Sequence, residues 1–351
     1  MQDNLYGTFI NNQTIPDTAA ESDPTMQSER KRFKAAGFAI FAMAMGHMLS
    51  RVAVHFIFLG FDRAGVSWGV QDVLINVIFT ILAQIVFCFA VPFFIYKKTL
   101  NLNAREIFLE SNFRKTRNAN LALSVPIGIA GIFLGLAVGF VWLIVLVLFG
   151  YSPPGGSGYP AEFNPALFIL SLVLIAVLPA LCEEFVMRGI FLNSMRKTFA
   201  GATVFIIGAL SFGLFHQNIG QLVNTAIWGG IYAYIVIKTG SIWPAIIIHF
   251  VNNFLAVVMS YAAVYGWGNG FVERLYEQIA ADGFFSIFFT AALALAVIIP
   301  SLWLMNKWSK KDKTEEKITR LYRPTLRESA FFIGAIVLTA ISTVLTFAFR
   351  A

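Results

Sequence analysis

The chain has little charge and almost no cysteine. Asp, Glu, Lys and Arg make up 13 % of its 351 residues, against about 25 % in soluble globular proteins. Its two cysteines, Cys88 and Cys182, sit inside apolar runs. They exclude a disulfide framework and a cysteine-based zinc cluster, and read as small packing residues. No internal repeat is visible. No aromatic-interleaved basic face accompanies the net charge of +7, so nucleic acid is not an expected partner. What is abundant is apolar: hydrophobic residues reach 58 %, Phe alone numbers 36, and mean hydropathy is +0.71. So few polar groups cannot cover a surface in water, and the length suits one polytopic all-α membrane domain.

A helix needs about 20 apolar residues to cross the hydrocarbon core. Nine runs qualify: 35–60, 72–96, 121–150, 165–190, 201–217, 221–238, 242–265, 283–306 and 329–349. The uncharged stretch 199–237 is too long for one span. Its polar break at Gln217-Asn218-Ile219-Gly220 predicts two short spans or a re-entrant pair, for about eight to nine spans in all. Residues 1–33 are polar and read as a disordered cytoplasmic tail, leaving 34–350 as a single membrane domain. The first apolar run is too long for a cleavable signal and reads as a retained anchor.

Alternating sides collects 21 Lys and Arg on one face of the membrane. They come from 30–34, 97–117, 196–197, Lys238 and 307–327, against Arg63, Arg274 and Arg350 on the other. That bias predicts a cytoplasmic N-terminus, in the cell membrane. An even span count would scramble it unless one segment were re-entrant. Residues 101–118 suggest a short interfacial helix with Ile107, Phe108 and Leu109 toward lipid. Residues 151–164, rich in Pro and Gly, suggest an irregular connection. Gly131, Gly135 and Gly139 predict a close helix–helix contact.

Ionisable groups in the bilayer cost at least ~2.5–3.5 kcal/mol each, so each needs a reason. Three clusters stand out: Glu183-Glu184-Phe185-Val186-Met187-Arg188, Phe212-Gly213-Leu214-Phe215-His216 and His249-Phe250-Val251-Asn252-Asn253. Glu184 and Arg188 are four apart and can pair on one helix face, while Glu183 projects about 100° away. His249 and Asn253 share a face, as do Phe212 and His216. Three helices can thus converge one carboxylate, two imidazoles and a carboxamide. A glutamate in a low-dielectric cavity can take a proton from water near neutral pH, a neutral histidine can orient that water, and His249 with Asn253 can donate to a developing oxyanion. These pieces suit hydrolysis of an amide without a serine or cysteine nucleophile. The structural alternative is a Glu184–Arg188 pair that only holds helices together.

Glu183-Glu184-x-x-x-Arg188, Phe212-x-x-x-His216 and His249-x-x-x-Asn253 resemble, in order, the three signatures of the CPBP family of intramembrane proteases. That family comprises type II CAAX prenyl endopeptidases and bacteriocin-processing or immunity proteins, and the resemblance covers about residues 165–260. It implies that Glu183 activates water, His216 helps bind it, His249 and Asn253 stabilise the oxyanion, and Glu184, Arg188 and Phe212 support the site. It also implies a peptide or membrane-protein substrate, lipidated in one branch. No cofactor is favoured. The alternative is zinc on Glu183, His216 and His249, a His₂Glu set that lacks the H-E-x-x-H spacing.

A second stripe, His47, Arg51 and His55, lies on one face of the first run. It reads as a buried contact or cavity wall, or, more sharply, as a substrate-carboxylate site at Arg51. Asn76, Gln84, Gln221 and Asn224 read as polar groups satisfied within the bundle, with Asn224 bordering the cavity. The rival functions are a proton-coupled transporter and a non-catalytic immunity protein.

Overall fold

The computed structural model describes residues 24–66, 70–153, 162–196, 198–199, 201–310 and 324–348. Among them every regular element is helical. The helices are α1 (Pro24–Arg63), α2 (70–100), α3 (Ala104–Glu110), α4 (Asn118–Leu148), α5 (Pro165–Arg196) and α6 (Gly201–Phe215). They continue with α7 (Leu222–Thr239), α8 (Trp243–Tyr265), α9 (Trp267–Ala281), α10 (Phe284–Lys310) and α11 (Leu326–Ala348). Seven of them, α1, α2, α4, α5, α8, α10 and α11, contain spans long and apolar enough to cross a membrane. The protein is an integral membrane helix bundle.

All nine apolar runs fall on helices, but two of them differ from the rest. α6 has 15 residues, about 22 Å at 1.5 Å per residue, and falls short of a ~30 Å hydrocarbon core. It packs along α7 as a hairpin whose turn lies at 216–221. Trp142 of α4 donates to Ile219 O (2.7 Å), and Gln217 donates to Ala44 O of α1 (3.1 Å) and accepts from Ser342 of α11 (2.8 Å). The turn is therefore held inside the bundle. A hairpin returns the chain to the side it left. Seven spans plus this pair thus preserve the alternation that nine spans would give.

The contacts between helix ends follow that alternation. Arg32 pairs with Glu110 of α3, and Arg30 and Lys34 pair with Glu328 at the start of α11 (2.6 and 3.2 Å). Ser241, between α7 and α8, donates to Arg114 O, and Asn120 of α4 donates to Ser309 of α10. The basic segments of the described chain thus meet at one end of the bundle.

Three local expectations need correction. Residues 24–33 are helical, not a disordered tail, because their charges have partners on α3 and α11; residues 1–23 lie outside the described residues. The helix predicted within 101–118 is Ala104–Glu110, closed by a capping box between Asn103 and Glu106. Ile107 is fully buried and Phe108 packs against Phe89, Phe93 and Phe185, so only Leu109 turns outward. The glycine face works at two of three positions. A Cβ at Gly131 would collide with Trp228 and Asn252, and one at Gly135 would press on Asn224, but Gly139 faces open space. Of the 151–164 connection, residues 154–161 lie outside the described residues.

Candidate active site

The fourth apolar run continues as helix to Arg196, so Glu183 lies well inside α5 rather than at its end. Thirteen residues separate Glu183 from Arg196, and fifteen separate Gly201 from His216. At 1.5 Å per residue these are about 20 and 22 Å, so α6 climbs back to the level of Glu183. Two full-length neighbouring spans would instead put Glu183 and His216 at opposite ends.

Wide π-helical turns shape the helices around the site: Leu82–Ala90 in α2, and Leu172–Val177 and Phe185–Phe191 in α5. Such turns are rare and concentrate at functional positions. Pro179 has no N–H to offer the carbonyl four residues back. That carbonyl, Ile175 O, accepts instead from Asn253 Nδ2 of α8 at 2.9 Å.

The two adjacent carboxylates have different surroundings. Glu184 is fully buried, and its Oε1 accepts from Arg188 Nη1 and from His249 Nδ1, each at 2.9 Å. Arg188 also donates to Gly229 O (3.3 Å) and lies over the rings of Phe212 (4.1 Å) and Tyr232 (4.9 Å). Tyr232 stacks on the His249 ring at 5.5 Å. Glu183 has a single amide partner among the described residues: Gln84 Nε2 donates to Oε1 at 2.7 Å. Among the described residues the Oε2 of each carboxylate is buried without a hydrogen bond, and that of Glu183 stands 4.0 Å from His216 Nε2.

His216 is aimed by its own helix end. Its Nδ1 is 2.9 Å from Phe212 O, and a carbonyl can only accept, so in the neutral ring Nε2 carries the lone pair facing Glu183. Gln217 follows in the left-handed region (φ 47°). Arg51 donates to the carbonyls of His216 (3.0 Å) and Gln217, neutralising the last groups of α6.

The structure thus brings together Glu183, His216, Phe212, Glu184, Arg188 and His249. It pairs His249 with Glu184 rather than with Glu183. Asn253 stands one turn beyond His249, with one amide N–H taken by Ile175. Of the second stripe, His47 reaches the site's edge, with Nε2 3.1 Å from Cys88 Sγ and its ring against Phe215. Arg51 binds backbone carbonyls. His55 is exposed beside Phe56 and Asn224 packs at Gly135, neither touching Glu183, His216 or His249 through a described hydrogen bond. Among the described residues no group of three His, Cys, Asp or Glu side chains is placed to hold a metal ion. Gln84 and Tyr232 were not singled out as site residues from sequence. The only available signal was a lone amide in an otherwise apolar run.

Residues 165–255 match a family model described as Type II CAAX prenyl endopeptidase Rce1-like. The likeness is to a CAAX-type peptidase. The Rce1-like segment runs from α5 into α8 and holds all three motifs. Gln84, Arg51, His47 and Ser342 lie outside it. The uncharacterized protein YyaK of Bacillus subtilis is 27 % identical over 198 residues, 52 % of this chain. The match spans 63 % of the length of that relative. No solved structure matches.

Proposed function

We propose that this protein is an intramembrane endopeptidase that hydrolyses a peptide bond with water activated by Glu183. One observation carries the reading: Glu183 Oε2 and His216 Nε2 face each other across 4.0 Å, both acceptors, each on a group anchored by its other polar atom. A separation beyond hydrogen-bond reach suits a bridging water. Such a water donates one hydrogen to each acceptor and turns its lone pair toward a substrate carbonyl. As its oxygen bonds to the carbonyl carbon, its proton passes to Glu183. The tetrahedral oxyanion accepts from His249 and from the second N–H of Asn253. His249 already gives Nδ1–H to Glu184, so donation from Nε2 as well requires the doubly protonated ring, with Glu184 as its counter-charge. Collapse breaks the C–N bond, and Glu183 returns the proton to the leaving amine.

In this reading no metal takes part, and the substrate is a membrane-associated peptide or protein, lipidated or not. The basic end of the bundle faces the cytoplasm, consistent with the excess of Lys and Arg there. The test is product mass spectrometry on reconstituted protein given candidate membrane peptides. Wild type should release two fragments whose new termini take up one water, and Glu183→Gln should release none. Cleavage by both proteins, or by neither, overturns the proposal.

A further inference from the structure

We infer that Gln84 is a positioning residue for the carboxylate of Glu183; the inference rests on the proteolytic reading above. Gln84 lies on α2, outside the Rce1-like segment and 99 residues from Glu183 in sequence. It is 7 % exposed in an otherwise apolar π-helical turn, Leu82–Ala90, whose other buried residues are Ala83 and Cys88. An amide is an expensive side chain to bury there unless it has a specific task. Its Nε2 donates to Glu183 Oε1 at 2.7 Å, the short distance of a charge-assisted bond.

The geometry explains what that bond does. A glutamate side chain turns about its last torsion with little hindrance, so a single helix cannot choose which oxygen faces His216. Gln84 holds Oε1 from the neighbouring helix, and the rigid carboxylate plane then presents Oε2 to His216 Nε2. Nε2 donates and cannot accept, so it fastens a carboxylate able to receive a proton at its other oxygen. The π-helical turn matters because its widened backbone changes which α2 side chains point at α5.

The test uses Gln84→Met, which keeps length and removes the donor, and Gln84→Leu, which removes every polar atom from the contact. Thermal unfolding of the purified proteins checks that each folds, and either folded variant suffices. The expected result is a kcat about 10–100-fold below wild type with KM within about twofold, the signature of a misplaced catalytic group. The Glu183 carboxylate band, assigned by infrared difference against Glu183→Gln, should also move in frequency. A folded Gln84 variant with wild-type kcat, or with an equal loss expressed wholly in KM, overturns the inference. The infrared arm needs no turnover. If wild type cleaves nothing, a moved band still supports the Gln84 contact and only the proteolytic reading fails. An unmoved band overturns the contact itself.

Discussion

Glu183 and Glu184 are neighbours on one helix, yet the bundle treats them in opposite ways. Glu184 has a guanidinium and an imidazole on one oxygen, with two aromatic rings stacked around those partners. Glu183 has one amide and then a gap facing His216. Each carboxylate keeps an Oε2 without a hydrogen bond among the described residues, so the contrast lies in what surrounds them: Glu184 is neutralised by Arg188 and His249, whereas the spare oxygen of Glu183 faces an imidazole nitrogen. The same contrast divides the histidines. His249 is bound into the closed side, while His216 is aimed at the open one.

Four substitutions or treatments would break or sharpen that contrast. The largest effect is expected at the open side: Glu183→Gln should lower kcat by at least about 10³-fold while leaving the melting temperature close to wild type, since the amide keeps the shape of the side chain. Glu184→Gln should differ in kind, losing stability as well as rate, because it removes the counter-charge of both Arg188 and His249. It leaves the Arg188 guanidinium, only 2 % exposed, without its carboxylate, and should cost about 3–5 kcal/mol of stability, read by denaturant titration in detergent. If both variants lose only activity, or both lose only stability, the two carboxylates are not divided as described.

A smaller effect is expected at Arg51→Met. It removes the donor to the His216 and Gln217 carbonyls and should lower kcat by about tenfold with KM little changed. A rise in KM alone would instead assign Arg51 to substrate binding. The smallest expected effect is none at all: incubation with a zinc chelator should leave the cleavage rate unchanged. Loss of rate restored by added zinc would place a metal between Glu183 and the histidines, and the water would then belong to that ion.

Much of this could be read before any coordinates. Apolar runs near 20 residues mark helices because lipid leaves the backbone no other partner, and each of the nine lies on one. Polar clusters in those runs point to a candidate site because burying them is costly, and the three helices do bring His216 to Glu183 and His249 to Glu184. What sequence spacing could not supply was the pairing between helices. That His249 binds Glu184, that Gln84 binds Glu183 and that Asn253 answers the carbonyl opposite Pro179 are all contacts across 65 to 99 positions, with no local periodicity to reveal them. The π-helical turns also displace side chains from the 100° rule used to sort them. Residues 24–33 misled for a related reason: their polarity resembles a tail, and the ion pairs to Glu110 and Glu328, with Phe33 packed on Phe332, make them part of the bundle.

The turn at 216–221 has a consequence for anyone wishing to transplant the candidate site. It is clasped by Ala44 and Arg51 from the first helix, Trp142 from the fourth and Ser342 from the last. A fragment cut to residues 165–255 would carry every signature letter and still lack all four clasps. Its imidazole would hang from an untethered corner, so the portable unit is the whole barrel of rods and not the stretch that bears the recognisable spelling.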